Sequence, residues 1–286
     1  MRLVTYRDES GVHPGALHDD SVVALDAVAP DLLALIDAGE EGLARARAAL
    51  ERARPLGEVR LLAPIPRPRQ NVICLGQNYR AHAIESDRAK GREPKLPEHP
   101  VFFTKAATTV CGPDDDIPLD PRVTAQLDYE VELAYIVGRG GVNIAREDAL
   151  NHIFGYTIVN DISARDLQNQ HQQFYKGKSL DRSCPIGPWI VTADEIPDPM
   201  ALGLRLRLNG ETRQNSTLGD LIFDIPTTLA VLSLGQTLEP GAIISTGTPS
   251  GVGMGRNPPE YLCAGDVMEA EVDQIGVLRN RVVAAR

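Results

Sequence analysis

A mainly β chain with α+β character is what this sequence predicts: a small α+β unit in front and a larger β domain, sandwich or roll, behind it. Three observations carry that reading. The proline-dense run Ala63-Pro64-Ile65-Pro66-Arg67-Pro68-Arg69 cannot be helical, and it divides the 286 residues into units spanning 1–65 and 66–286. Beyond it, short runs rich in β-formers recur, separated by loops of Gly and Pro. Few helix-like stretches interrupt them, which favours a sandwich or roll over a sheet built from βαβ units.

In the front unit, Arg2–Arg7, Gly15–His18 and Ser21–Ala24 read as short strands. An amphipathic helix follows. It starts near Pro30-Asp31, turns Leu32, Leu35, Ile36, Leu43, Ala46 and Leu50 inward, and fades at Pro55. In the rear unit, strands are expected at Val72–Leu75, Val101–Thr104, Glu130–Val137, Tyr156–Asn160, Trp189–Thr192, Leu204–Leu208, Ile243–Thr246 and Val267–Val272. Helices are expected at Tyr79–Glu85, Arg146–His152 and Phe223–Leu234.

The net charge of −10 argues against a nucleic-acid partner, since phosphate binding needs clustered positive charge. No apolar run approaches transmembrane length, so no membrane partner is expected. Met1–Tyr6 reads as a strand and lacks the apolar core of a signal peptide; the expected location is cytoplasmic. Cys74, Cys111, Cys184 and Cys263 form no C-x-x-C pair and read as buried small hydrophobes.

Glu130 and Glu132 are the most informative residues. On a strand, side chains two apart share a face, so Val131, Leu133, Tyr135 and Val137 would fill one face while the two glutamates project from the other. Adjacent carboxylates repel unless a cation lies between them. Asp161, closing the next apolar strand, offers a third oxygen ligand for a hard cation. The same pattern also fits the solvated face of an edge strand.

Other residues point to chemistry in company. His82 and Glu85, three apart on a helix, are neighbours; the carboxylate would fix the imidazole's tautomer and raise its basicity, or the two are an ordinary surface pair. The polar segment Ser86–His99 reads as a mobile loop and candidate lid. Lys105, Lys176 and Lys178 would balance carboxylates, hold a substrate carboxylate, or stay solvated. Arg165 would clamp a carboxylate or neutralise Asp161 or Asp166. The glycine-rich run Ser245–Gly255 is no phosphate loop of the Gly-Lys-Ser/Thr kind; it reads as backbone approaching a ligand, with Thr248 a candidate donor, or as a set of tight turns.

The order of these motifs resembles the fumarylacetoacetate hydrolase family. The resemblance rests on Gly76-Gln77-Asn78-Tyr79 with His82-x-x-Glu85, Phe103-Thr104-Lys105, Glu130-x-Glu132, Asn160-Asp161-x-Ser163-Ala164-Arg165-Asp166, Lys176-Gly177-Lys178-Ser179 and Thr246-Gly247-Thr248-Pro249. It runs through most of residues 70–285. It implies a mixed β-sandwich roll of that family's C-terminal type, a homodimer, and one Mg²⁺, Mn²⁺ or Ca²⁺ on Glu130, Glu132 and Asp161. It also implies a water-activating pair, His82 and Glu85, and substrate contacts from Lys178, Lys105, Arg165, Gln168 and Thr248. The front unit is similar to the small N-terminal domain of many bacterial members.

Two segments depart from the family's pattern: Arg182 stands where a small neutral residue is common, and Asn169–Tyr175 is rich in glutamine. The activity this implies is hydrolytic C–C cleavage of a small 2,4-dioxo acid through a metal-stabilised enolate, with Lys178 offsetting negative charge. Decarboxylation of an oxaloacetate-like acid, and isomerisation or hydration of an unsaturated oxo acid, use the same enolate. A catalytically silent metal-binding scaffold is the reading from a different class.

Overall fold

A computed structural model of the chain describes residues 1–19, 21–51 and 56–285. In order, the elements are β1 (Arg2–Arg7), β2 (Val12–His18), β3 (Ser21–Ala24), α1 (Leu32–Asp37), α2 (Gly39–Leu50), β4 (Arg60–Leu62), β5 (Val72–Gly76), α3 (Arg80–Ala89) and β6 (Val101–Lys105). Next come β7 (Val110–Cys111), β8 (Asp116–Leu119), β9 (Leu127–Asp128), β10 (Val131–Val137), β11 (Ile153–Asn160), β12 (Ser163–Ala164), α4 (Arg165–Gln170), α5 (Tyr175–Lys178) and β13 (Cys184–Thr192). The chain finishes with β14 (Gly203–Leu208), β15 (Glu211–Thr217), α6 (Ile225–Ser233), β16 (Ile243–Ser245), β17 (Val267–Val272) and β18 (Gly276–Ala284).

Two sheets carry the molecule. The larger has 11 strands, with a main path β3-β2-β1-β13-β11-β10-β16-β5-β6; the smaller has 5, in the order β15-β14-β17-β18-β8. The front unit joins the larger sheet: β1 pairs antiparallel with β13, Leu3 opposite Ile190. Helices α1 and α2 then cover one face of that sheet, packing Leu32, Leu35, Ile36, Leu43 and Ala46 in one core with Ala134, Ile136, Val159 and Ile190. The smaller sheet covers the opposite face, packing Leu204, Leu206, Met268 and Ala270 in one core with Val131, Leu133 and Tyr135. The result is three layers, a helix pair and two sheets, in a mixed α+β chain rich in strand.

This layering corrects the expected picture of β10. The strand was expected to have one apolar and one acidic face. Instead both faces are buried, because β10 lies between β11 and β16 and under cores on either side. Glu130 falls just before the strand; its N–H donates to Asn160 Oδ1 at 2.9 Å and its carbonyl accepts from Asp161 N.

Other elements differ in extent. The long front helix is two: α1, capped by Asp31 accepting from Ala34 N, and α2, with Gly39 at φ +54° making the break. Its expected end at Pro55 lies outside the described residues. Arg146–His152 tightens into 3₁₀ geometry, with His152 Nδ1 2.6 Å from the Arg139 carbonyl. Helix α3 runs four residues beyond Glu85 into the segment read as loop, because Ser86 and Asp87 are buried there and Asp87 Oδ2 accepts from Lys95 N. Strand β15 escapes a pattern search because Glu211–Thr217 holds no apolar side chain. Cys74, Cys111 and Cys184 are buried, but Cys263 is exposed. No helix among the described residues is long and apolar enough to cross a membrane.

Candidate active site and metal centre

The expected site residues come from distant parts of the chain, and the topology gathers many of them at one end of the larger sheet. Glu132 is on β10, Glu130 precedes it, and Asp161 follows β11, paired to β10 from Val131↔Asn160 onward. One carboxylate oxygen from each lies within 4.8 Å of the others, and all three residues are buried. Among the described residues no other Asp, Glu, His or Cys group is so arranged.

Buried carboxylates need partners. Lys178, on α5, donates to Glu130 Oε2 and Asp161 Oδ2, both at 2.5 Å. Arg165, opening α4, donates to Glu130 Oε1 at 2.6 Å, Asp128 Oδ2 at 2.9 Å and Gln168 Oε1 at 3.1 Å. Glu132 Oε2 accepts from Ser245 Oγ and, at 3.0 Å, from Gly247 N. Lys105 lies behind Asp161: its Nζ is 2.7 Å from Oδ1, but its aligned hydrogen bond goes to the Ile162 carbonyl at 3.0 Å. Asp161 Oδ1 is therefore buried without a hydrogen-bond donor.

The two glutamates are pushed in opposite directions. Burial raises both. For Glu130, the Arg165 guanidinium and the Lys178 ammonium outweigh burial and hold its carboxyl below the usual range. For Glu132, burial is reinforced by Asp161 and Glu130 and drives its carboxyl well above that range. Burial lowers Lys178, but Asp161 and Glu130 reverse this and hold the ammonium firmly charged. A proton-hungry Glu132, and an Asp161 Oδ1 met only by the charge of Lys105 and by no aligned donor, mark a cluster with room for further positive charge. Three oxygen donors of this kind fit a hard divalent cation.

Helix α3 lies over this cluster. His82 Nδ1 is 3.2 Å from Glu85 Oε2 and its Nε2 is 3.8 Å from Glu130 Oε1. A carboxylate only accepts, so Nδ1 carries the hydrogen and, in the neutral ring, Nε2 presents its lone pair to the cluster. Glu85 Oε1 accepts from Gly251 N at 2.9 Å, latching the helix to the glycine-rich loop. The adjoining turn needs Gly255: a Cβ there would stand 2.4 Å from Glu85 Cδ.

His82, Ser86 and Lys90 of α3 line a cavity of about 30 Å³ with Glu130, Glu132, Arg165, Gln168, Lys178 and Thr248. That volume is small, about one water's share of liquid, so α3 sits close over the carboxylate cluster.

Sequence reasoning leaves several partners unnamed. Asp128 anchors Arg165 and accepts from Gly253 N and Met254 N; its place two residues before Glu130 is a visible signal. Gln214 bridges Val131 N and the Thr248 hydroxyl, which itself donates to the Val131 carbonyl. Arg165 neutralises Asp128 and Glu130, whereas Asp166 is bound by Thr124 and Ala125. The glutamine-rich segment contributes Phe174 to the cavity wall, edge-on to Phe103 at 5.6 Å. Arg182 points away from the carboxylates, is exposed, and donates to the Asp116 carbonyl in a separate groove.

Comparison with known proteins places this geometry. The oxaloacetate tautomerase YisK of Bacillus subtilis is 48% identical over 269 residues, covering 90% of this chain and 88% of that protein. A fumarylacetoacetate hydrolase from Exiguobacterium antarcticum superposes with a TM-score of 0.89 at 41% identity, each chain fully covered. The maleylpyruvate hydrolase of Sphingobium sp. SYK-6, solved with manganese(II) and pyruvate, superposes at 0.81 with 32% identity, each chain again fully covered. Residues 71–283 match the fumarylacetoacetate (FAA) hydrolase C-terminal model, and the chain belongs to that family.

Proposed function

We propose that this protein interconverts the enol and keto forms of a 2-oxo dicarboxylic acid of the oxaloacetate class. The observation that carries the reading is a single histidine, His82, oriented by Glu85 with Nε2 turned toward the carboxylate cluster. Keto–enol exchange needs one base that takes the enol O–H proton and returns a proton to the adjacent carbon. No carbon–carbon bond breaks and no water is consumed. The Bacillus subtilis relative, at 48% identity, bears the name of this activity, which supports the reading.

A Mg²⁺ or Mn²⁺ ion held by Glu130, Glu132 and Asp161 would supply Lewis-acid stabilisation of negative charge on the substrate's oxygens. The chain's own residues do the rest. Glu85 fixes the His82 tautomer. Lys178 adds positive charge at the cluster. Phe103, Phe174 and the closed α3 limit access of water, which strengthens every charge interaction inside.

Hydrolytic cleavage of a 2,4-dioxo acid is the second reading. It is favoured by the Sphingobium hydrolase, and it requires His82 to activate a water. The test follows the near-ultraviolet absorbance of enol-oxaloacetate with Mg²⁺-loaded protein, beside pyruvate release and acylpyruvate cleavage. Enol loss well above the spontaneous rate, abolished by chelator and without pyruvate release, is expected. Acylpyruvate cleavage with no acceleration of enol loss would replace the first reading by the second.

A further inference from the structure

The cavity-facing side of α3 carries three functional groups in a row. His82 and Ser86 share a face of α3, Lys90 follows four residues on at its C-cap, and all three line the cavity. The row spans roughly 12 Å along the helix axis. Lys90 lies just past the end of α3 and lines the same cavity as Ser86 and the carboxylate cluster.

The other cations of the site are committed. Arg165 is held by Asp128, Glu130 and Gln168; Lys178 by Glu130 and Asp161; Lys105 by Asp161 and Ile162. Among the described residues, Lys90 makes no ion pair and its ammonium takes no hydrogen-bond partner. Burial pushes it below its ordinary value, with Arg165 and Arg92 adding to the effect and Asp87 and Glu130 opposing it, so an ammonium without a direct carboxylate contact faces the cavity.

We propose that Lys90 is the specificity residue for the distal carboxylate of the substrate, and that this carboxylate draws α3 shut by pairing with it. The inference rests on the 2-oxo dicarboxylate reading above. Its consequence is mechanical. Lys90 ends the helix that carries His82 and Glu85, so a ligand with a second negative charge at the far end brings the base into place. A 2-oxo acid with a methyl group there lacks this closing contact. Ser86, between the two, is buried, lines the cavity, and its hydroxyl has no hydrogen-bond partner among the described residues.

The test measures binding by calorimetry to Mg²⁺-loaded protein, comparing oxaloacetate with 2-oxobutanoate, which replaces the distal carboxylate by methyl. Wild type is expected to prefer the diacid by roughly 10- to 100-fold, the worth of one charge-assisted hydrogen bond. In Lys90→Met the preference is expected to collapse toward unity, and in Lys90→Arg, which keeps the charge, most of it remains. A wild type without the preference, or a Lys90→Met protein that keeps it, overturns the assignment. Should Lys90→Met not fold, Lys90→Gln gives the same comparison. Binding is read without turnover, so a failed enol assay with an intact Lys90-dependent preference would sink the tautomerase reading and leave this one standing.

Discussion

The chain contains the pattern Glu-x-Glu twice, once at the start of a strand and once within one, and the two copies have opposite fates. Glu130 and Glu132 are buried at the end of the larger sheet, with partners drawn from β12–α4, α5 and β16. Glu269 and Glu271 stand on β17 in the smaller sheet, half-buried, facing Arg207 and Arg205 directly across on β14. Spacing is the same in both. What differs is cover. The larger sheet is roofed on both faces, so its carboxylates lose water and must find cations or a metal. The smaller sheet leaves its outer face open, so its carboxylates form a ladder with arginines at register positions. An acidic strand pair is therefore a site only where the sheet is buried on both faces.

Mutations that break this contrast should have very unequal effects. The largest is expected from His82→Gln, which removes the proposed base: a 10²- to 10⁴-fold loss in kcat on enol-oxaloacetate, with the melting midpoint little changed. Asp128→Ala comes next. It leaves the buried Arg165 short of a partner and three backbone N–H groups unmet, those of Tyr129, Gly253 and Met254, at a cost of about 3–5 kcal/mol in a urea melt. Glu132→Gln should lower Mg²⁺ affinity by more than about 100-fold, since even outer partners of metal ligands cost up to about that much. Unchanged Mg²⁺ binding in that variant would remove the metal from the proposal. Gly255→Ala should push Glu85 off His82 and lower kcat about as much as Glu85→Gln. The double variant should then be no worse than either single one, because both remove one interaction.

How far the site is legible beforehand follows from the same contrast. Glu130, Glu132 and Asp161 can be grouped from strand spacing and order, since antiparallel β10–β11 pairing brings the start of one strand to the end of the next. His82 and Glu85 follow from helical spacing. The Arg165–Asp128 pair cannot be found this way. It joins α4 to β9, and nothing local says which acid an arginine chooses. Lys105 reads as a surface or substrate-facing lysine, yet it is fully buried behind Asp161, because β5 and β6 place the end of β6 under the site. The extension of α3 to Ala89 is missed for a related reason. Ser86, Asp87 and Lys90 look like solvated loop residues, but a helix lying over a polar cavity buries polar side chains. Periodicity reports apolar burial, and this site is built from polar burial.

The smallest effect is predicted for the other Glu-x-Glu. In Glu271→Gln, Arg207 keeps its contact with Glu269 and Arg205 keeps Asp273 at 2.7 Å, so no cation is stranded. Water reaches the outer face and screens what is lost. The expected cost is about 0.2–1 kcal/mol in the same urea melt, shrinking as salt is raised, with metal binding and turnover unchanged. A loss comparable with that of Asp128→Ala would mean that the outer face is covered, for instance by a second copy of the chain, and that the arginine–glutamate ladder lies in an interface. Concentration-dependent melting would separate that case from a monomer whose ladder is stronger than exposed pairs elsewhere. The difference between the two acidic strands would then lie in what covers each face in solution.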